Sequence, residues 1–413
     1  MESDMLKVMK FSIIKNRNFK LITAGQFVSA YGDSLYAATI LWIAAEMTNS
    51  TVQLSIIGIC ETLPAIVLGV FSGTIVDKFL KTRIMILSDF ARALCILIVF
   101  LLYITSELNI YYIFAVTLVL GIFHSIYNPA QFAIIPEIVK EEEIQQANSV
   151  NTIMLNISNM AGSSSSGFIY RFLGVPISIL INITSYIVSG ICTIFVKPAK
   201  IIKTENTVFN IHTVFADTVG GLKYIMGKPV LISCMLLSMT INILSGALIL
   251  VPLYIKNDLN MSITIFGLAE GFGAAGMVFG AWLLANIKIK KTYEALFLSG
   301  FLQAVSFLVI AIIPNPIILI AFRGIYGLFN GTLNVLFVTK FQSEIDEEYL
   351  GRVYSVSYII GTVSLPLAAV MCGFVADFFG IARAWSILSI LVGLLVLINY
   401  IFHYRNYRKI NNL

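Results

Sequence analysis

Charge is scarce in this sequence. Asp, Glu, Lys and Arg together make up 12% of its 413 residues, whereas 58% are hydrophobic. A soluble domain carries about 25% charged residues, so half of the usual polar covering is missing and a fully water-solvated surface is excluded. Histidine is scarcer still: three scattered copies give no basis for a zinc site. The five cysteines, Cys60, Cys95, Cys192, Cys234 and Cys372, show no paired spacing and fall inside apolar runs, where small packing residues are the expected role. No phosphate-cradling Gly loop, nucleophile elbow or other catalytic constellation occurs, which argues against an ATP-driven pump and against an enzyme. The Gly-rich stretch GLAEGFGAAGMVFG (267–280) lies in an apolar run, where its spacings point to helix packing rather than dinucleotide binding.

What the sequence does have is length of apolar run. Mean hydropathy is +0.90, and about twelve runs are long enough to cross a hydrocarbon core of about 30 Å at about 1.5 Å per helical residue. They lie near 21–45, 52–76, 84–105, 110–135, 148–172, 175–196, 229–255, 261–285, 293–313, 316–340, 352–376 and 381–403. The first reads as a span and not a cleavable signal peptide, because it is too long, contains Asp33 and lacks a small-x-small exit. With the N-terminus placed in the cytoplasm, the inside segments collect most of the Lys and Arg, and the outside loops hold only Arg171, Lys256 and Arg383. This bias puts both termini in the cytoplasm. The net charge of +5 then reflects topology in a cell (plasma) membrane protein and not nucleic-acid binding.

The sequence is also written twice. GIFHSIYN (121–128) recurs as GLFNGTLN (327–334), an offset of 206 that also carries Ser149-Val150 onto Ser355-Val356 and Glu141-Glu142 onto Glu347-Glu348. The expected plan is an all-α membrane protein with twelve transmembrane helices in two six-helix pseudo-repeats. The halves are 1–196 and 229–413, joined by a cytoplasmic linker at 197–228. Within the linker, Phe215, Val219, Leu222 and Met226 stand at helical spacing, as in a helix lying along the interface. Parallel repeats of this kind are a plan of secondary transporters, whose solute site lies between the repeats near the midplane.

The connector GTIVDKFLKTR (73–83), with Gly73, Asp77, Lys78, Lys81 and Arg83, resembles the loop between spans two and three of the major facilitator superfamily, G-x-x-x-D-R-x-x-R/K-R/K. NRNFKLITAGQFVSAYGD, SDFARA and NPAQFAIIPEIVKEEEIQQANS resemble its macrolide-efflux and siderophore-exporter branch over nearly the whole chain. Lys78 stands where Arg is usual. Ser163 follows Gly162 where many drug antiporters have Pro, and the fourth span has Thr117, Leu118 and Val119 where proton-coupled relatives embed an Arg. The resemblance implies the major facilitator fold and proton-coupled export of amphipathic small molecules by a monomer in the bilayer. It implies no cofactor, the proton gradient serving as the energy source. It also implies a gating role for the connector, with Asp77 a charge clasp to the helix starting near Gly351-Arg352. Alternatives are an exporter of one natural solute, such as a siderophore or a lysolipid, and a transporter-like receptor that moves nothing.

Ionisable residues inside spans carry the rest, since each costs at least about 2.5 kcal/mol if left in lipid at the bilayer centre. Asp33 lies about 20 Å along the first helix and shares a face with Gln26, Ser29 and Tyr36, so a polar stripe faces a cavity and Asp33 is the expected main proton carrier. Glu61 and Glu270 sit at similar depth in the second and eighth spans, as further proton-coupling candidates. Asp89 and Arg92 stand three apart on the third helix and are expected to pair with each other or with the gate. His124 and Asn128, with Gln131, line one face of the fourth helix; Arg323 and Asn330, with Asn334, line one face of the tenth. These are the substrate-binding candidates, with a hydrogen-bonded core residue the plainer role for His124 and an acid partner the plainer role for Arg323. Pro64, one turn after Glu61, is expected to loosen its helix.

Overall fold

The computed structural model describes residues 13, 15–197, 211–287, 289, 291–346 and 349–411. Within these every regular element is helical. The helices are α1 (Arg17–Met47), α2 (Thr51–Lys78), α3 (Lys81–Ile104) and α4 (Ile110–Ala133). The single run Ile144–Ile194 is broken at Gly174 into α5 (144–173) and α6 (175–194). Then come α7 (Ile211–Gly227), α8 (Pro229–Ala247), α9 (Ile263–Asn286), α10 (Thr292–Ile312), α11 (Pro316–Glu344), α12 (Leu350–Phe379) and α13 (Ile381–Asn411). Nine stretches among the described residues are long and apolar enough to cross a membrane. One of them, Glu141–Ile194, is two helices folded at Gly174. With α1 and α12, which are long but more polar, this gives about twelve helices of membrane length among the described residues; α7 is a shorter helix that precedes α8. This is a multi-pass membrane protein.

The helices start and stop where local chemistry requires it, and the stops repeat at the offset of 206. Asn109 caps α4 by accepting from the Tyr111 and Tyr112 amides, and Asn315 caps α11 by accepting from those of Ile317 and Ile318. Such caps satisfy amides that have no partner within the helix. Gly174 and Gly380 both have φ 82°, at the breaks between α5 and α6 and between α12 and α13. A side chain there would be strained, so glycine sets both reversals. A third correspondence lies at the entries to the halves. Asn16 donates to the Ile138 carbonyl (2.7 Å) and Lys228 to that of Glu344 (2.8 Å); the accepting carbonyls are 206 apart, the donors 212.

By contacts the chain forms two compact units, one of residues 1–40 and 63–208, the other of 41–62 and 209–413. The first has an apolar cluster built from Phe19, Val76, Met85, Ile134, Ile138 and Ala147. The second has its own, built from Ile225, Leu231, Met235, Phe341, Val353 and Val356. Ile225 of α7 belongs to that cluster, whereas Leu222 and Met226 are exposed and Phe215 lies outside the described side chains. The tail of α7 is tied down by Tyr224, which stacks on Tyr349 at 4.4 Å and donates its hydroxyl to Asp346 (2.8 Å). That hydrogen bond, and then Lys228, hold the Asp346 carboxyl below its ordinary range. The contact is therefore complete at neutral pH and is lost only in acid, as pH falls through the lowered value.

In the second unit α9 and α11 meet backbone to backbone. A Cβ built on Gly276 would lie 2.0 Å from the Gly324 carbonyl oxygen, and one on Gly327 would lie 2.0 Å from that of Gly273. Small residues allow helices to approach this closely in a membrane. Gly276→Ala is expected to force the pair apart and destabilise the protein by about 1–3 kcal/mol, the usual cost of overpacking. Thermal unfolding in detergent should show a clear drop in Tm, and an unchanged Tm would mean the seam is not close-packed.

Candidate functional site

In the first unit α1 is held tightly by its neighbours, and this fixes where its polar stripe points. A Cβ on Gly32 would lie 2.1 Å from Ser185 Oγ of α6, and one on Gly162 of α5 would lie 2.4 Å from the Tyr31 carbonyl oxygen. The serine-rich stretch after Gly162 serves this contact: Ser165 Oγ meets the Tyr31 hydroxyl at 2.8 Å. Nearby, Ser158 donates to the Phe27 carbonyl and Ser34 donates to Asn159 (2.9 Å).

A cavity of about 220 Å³ opens on this stripe, lined by Gln26, Ser29 and Asp33 of α1, Arg92 of α3, His124, Tyr127, Asn128 and Gln131 of α4, and Leu155 and Asn159 of α5. At its base the Arg92 guanidinium, 2% exposed, lies between the Tyr127 and Tyr186 rings at 4.2 and 4.4 Å. Asp89, fully buried, takes Nη2 at 2.5 Å; Asp33 stands 3.7 Å from Nη1 and also accepts from the Tyr186 hydroxyl. Two carboxylates and one guanidinium leave one negative charge unbalanced when all are ionised. Asp89 is sealed against Arg92, whereas the Asp33 side chain is 32% exposed. Of the two acids, Asp33 is the one that opens to the cavity. Gln26 is 3% exposed, and neither its amide nitrogen nor its oxygen has a partner among the described residues. Such buried polar atoms are costly unless a ligand or water meets them.

Of the predicted stripe, Gln26, Ser29 and Asp33 line the cavity, while Tyr36 is buried elsewhere along α1. Asp89 and Arg92 pair as their spacing predicts and also reach Asp33. His124 and Asn128 lie on the wall with Gln131. Tyr127, Tyr186 and Asn159 carried no sequence argument. For Tyr186 the signal lay in polar residues spaced i, i+3, i+4, i+7 in the sixth span, Asn182, Ser185, Tyr186 and Ser189.

The connector divides. Lys81 is buried and pairs with Glu137 at 3.0 Å, side chains 7% and 2% exposed. A cation in the first turn of a helix opposes the helix dipole, and Glu137 offsets it. Lys78 and Arg83 are exposed, and the Gly73 and Asp77 side chains lie outside the described residues, as do those of Gly351 and Arg352.

In the second unit Glu270 takes both oxygens to Arg323 Nη2, at 3.0 and 3.1 Å. Gly273 leaves room for that guanidinium, since a Cβ there would lie 2.8 Å from Nη1. Asn330 donates to the fully buried Gln303 (3.4 Å) and accepts from Asn334 (3.0 Å). Glu61 is exposed.

Removing one partner of the Glu270–Arg323 pair strands the other. Arg323→Met is expected to destabilise strongly, up to the about 3–5 kcal/mol of a buried pair. Adding Glu270→Leu should recover part of the loss. Thermal unfolding of the two single variants and the double variant gives the coupling, and strict additivity would mean that the pair contributes nothing.

The sequence model of the Major Facilitator Superfamily matches residues 22–369. Macrolide efflux protein A of Streptococcus pyogenes is 24% identical over 383 residues, covering 91% of this chain and 94% of that one. The staphyloferrin A transporter of Staphylococcus aureus is 23% identical over 396 residues, covering 94% and 96%. Among solved structures, the nucleoside transporter NupG superposes with a TM-score of 0.71 at 12% identity, over 93% of this chain and 98% of that one. These relatives are transporters and not enzymes. A family match over most of its length, with about twelve helices of membrane length among the described residues whose caps and breaks repeat at half-length, makes this chain a member of the Major Facilitator Superfamily.

Proposed function

We propose that this chain exports amphipathic small molecules in exchange for protons. The cavity of the first unit receives the polar part of the solute and Asp33 carries the proton. The observation that supports this most is the charge arrangement at the cavity base: a sealed Arg92–Asp89 pair beside a half-exposed Asp33 that shares the same guanidinium. Protonation of Asp33 brings the cluster to neutrality, and a cationic solute group would do the same, so the two compete. The efflux and siderophore-transport names of the relatives favour outward movement. A second reading, an exporter dedicated to one polar natural solute, is favoured by the cavity wall, where Leu155 and Ala30, which also lines it, are the only aliphatic residues among those described. In both readings Gln26, Ser29, His124 and Asn128 contact the solute, the connector around Asp77 gates, and Arg323 and Glu270 brace the second half.

Asp33→Asn keeps the shape and most of the hydrogen bonding but removes the titrating group. In proteoliposomes loaded with a radiolabelled macrolide, the parent should transport faster under an imposed pH gradient, and the variant should lose that response. A variant that responds like the parent would move coupling away from Asp33, with Glu270 the next candidate.

The Lys and Arg distribution supports cytoplasmic termini in a plasma membrane. Glu107→Cys, rather than its neighbour Asn109 that caps α4, and Asn412→Cys should label from opposite sides of the membrane. Labelling of both from one side would overturn the orientation.

A further inference from the structure

Helix α1 ends at Met47 and α2 begins at Thr51, so a negative carbonyl end and a positive amide end lie side by side. The turn satisfies part of this itself: Thr48 Oγ1 donates to Gln53 (2.6 Å) and accepts from the Ser50 amide (3.0 Å). The rest comes from residues distant in sequence, matched in sign. Lys256 Nζ donates to the Ala45 carbonyl at 2.5 Å and lies 3.5 Å from that of Glu46. Asp377 Oδ1 accepts from the Thr51 amide (3.1 Å) and hydroxyl (2.5 Å), and that hydroxyl also reaches the Gly373 carbonyl (2.6 Å). Lys256 sits in a π-helical turn, Tyr254–Asp258, that closes the crossing stretch begun by α8. π-turns of this kind are rare and frequent at functional positions. Close below, a Cβ on Gly373 would lie 2.6 Å from Ser55 Oγ, so α12 presses on α2.

All of these contacts lie within the second unit, which includes residues 41–62, while the rest of α1 and α2 belongs to the first.

We propose that Lys256 and Asp377 are positioning residues of the transport cycle. They form a charge-matched clasp on the two helix ends of the 41–62 hairpin, made in the state seen here and released when this end of the bundle opens. The proposal rests on the transport reading above. Neither residue touches the cavity, and each acts through the helix end it caps.

The test uses purified full-length protein in detergent, with the five native cysteines changed to Ser and Ser55→Cys added as a reporter. Ser55 is fully buried under α12, so its replacement thiol reacts with a maleimide only when α2 parts from α12. Asp377→Ala and Lys256→Met are each expected to speed labelling by roughly 2- to 30-fold, the range of a lost helix cap. Lys256→Arg, which keeps the cation, should label like the parent. Equal labelling rates in all variants would overturn the clasp. A loss of fold is read separately from Tm, and if Asp377→Ala does not fold, Thr51→Val, which removes the hydroxyl contacts, takes its place under the same criterion. Labelling needs no solute movement. Faster labelling in a protein that moves nothing in proteoliposomes would keep the clasp and remove the transport reading.

Discussion

A guanidinium inside a membrane-spanning bundle must be given its counter-charge by the protein, because lipid offers none. Arg92 meets this with Asp89 at 2.5 Å, Asp33 at 3.7 Å and two tyrosine faces. That arrangement constrains much of the first unit. Helix α1 must approach α6 closely enough for Asp33 to reach Tyr186, which is why Gly32 stands opposite Ser185 and Gly162 opposite the Tyr31 carbonyl. The cavity exists because the same helices that bring the charges together hold Gln26, His124 and Asn128 around them. Breaking one member of such a set leaves an uncompensated buried charge, a change of about 3–5 kcal/mol.

The repeat in the sequence is a repeat of scaffold and not of chemistry. Asn109 and Asn315, Gly174 and Gly380, and the carbonyls of Ile138 and Glu344 do the same work at the same offset. The charged clusters do not. In the first unit the ions come from α1 and α3, in the second from α9 and α11. At the offset of 206, Arg323 corresponds to Thr117 and Arg92 to Leu298, so neither half copies the other's ion pair. This asymmetry fits the proposal that the first half carries the proton and solute chemistry while the second supplies a braced frame.

Much of the fold was legible because hydrophobic run length and half-length repetition are local, additive signals. The face of α1 was legible for the same reason: Gln26, Ser29 and Asp33 stand at helical spacing. Periodicity names a face, not a partner. It could not separate Tyr36 from the stripe, since one further turn carries that residue past the cavity into packing. Nor could it join Lys81 to Glu137 or Glu270 to Arg323, 56 and 53 residues apart, because those pairings depend on which helices the fold brings side by side. Tyr186 escaped for a related reason. A tyrosine in an apolar run looks like packing until an acid from another helix meets its hydroxyl.

If Asp33, the acid of the Arg92 cluster that opens to the cavity, carries the transported proton, a protonated carboxyl must form there. Infrared difference spectra of the protein between acid and neutral pH test it directly, by following the carbonyl band that only a protonated carboxyl shows. A band that grows as pH falls, is reduced in Asp33→Asn, and is retained when Glu61→Gln is substituted instead is the expected result. A band unchanged in Asp33→Asn would contradict it and place the exchangeable proton on another acid.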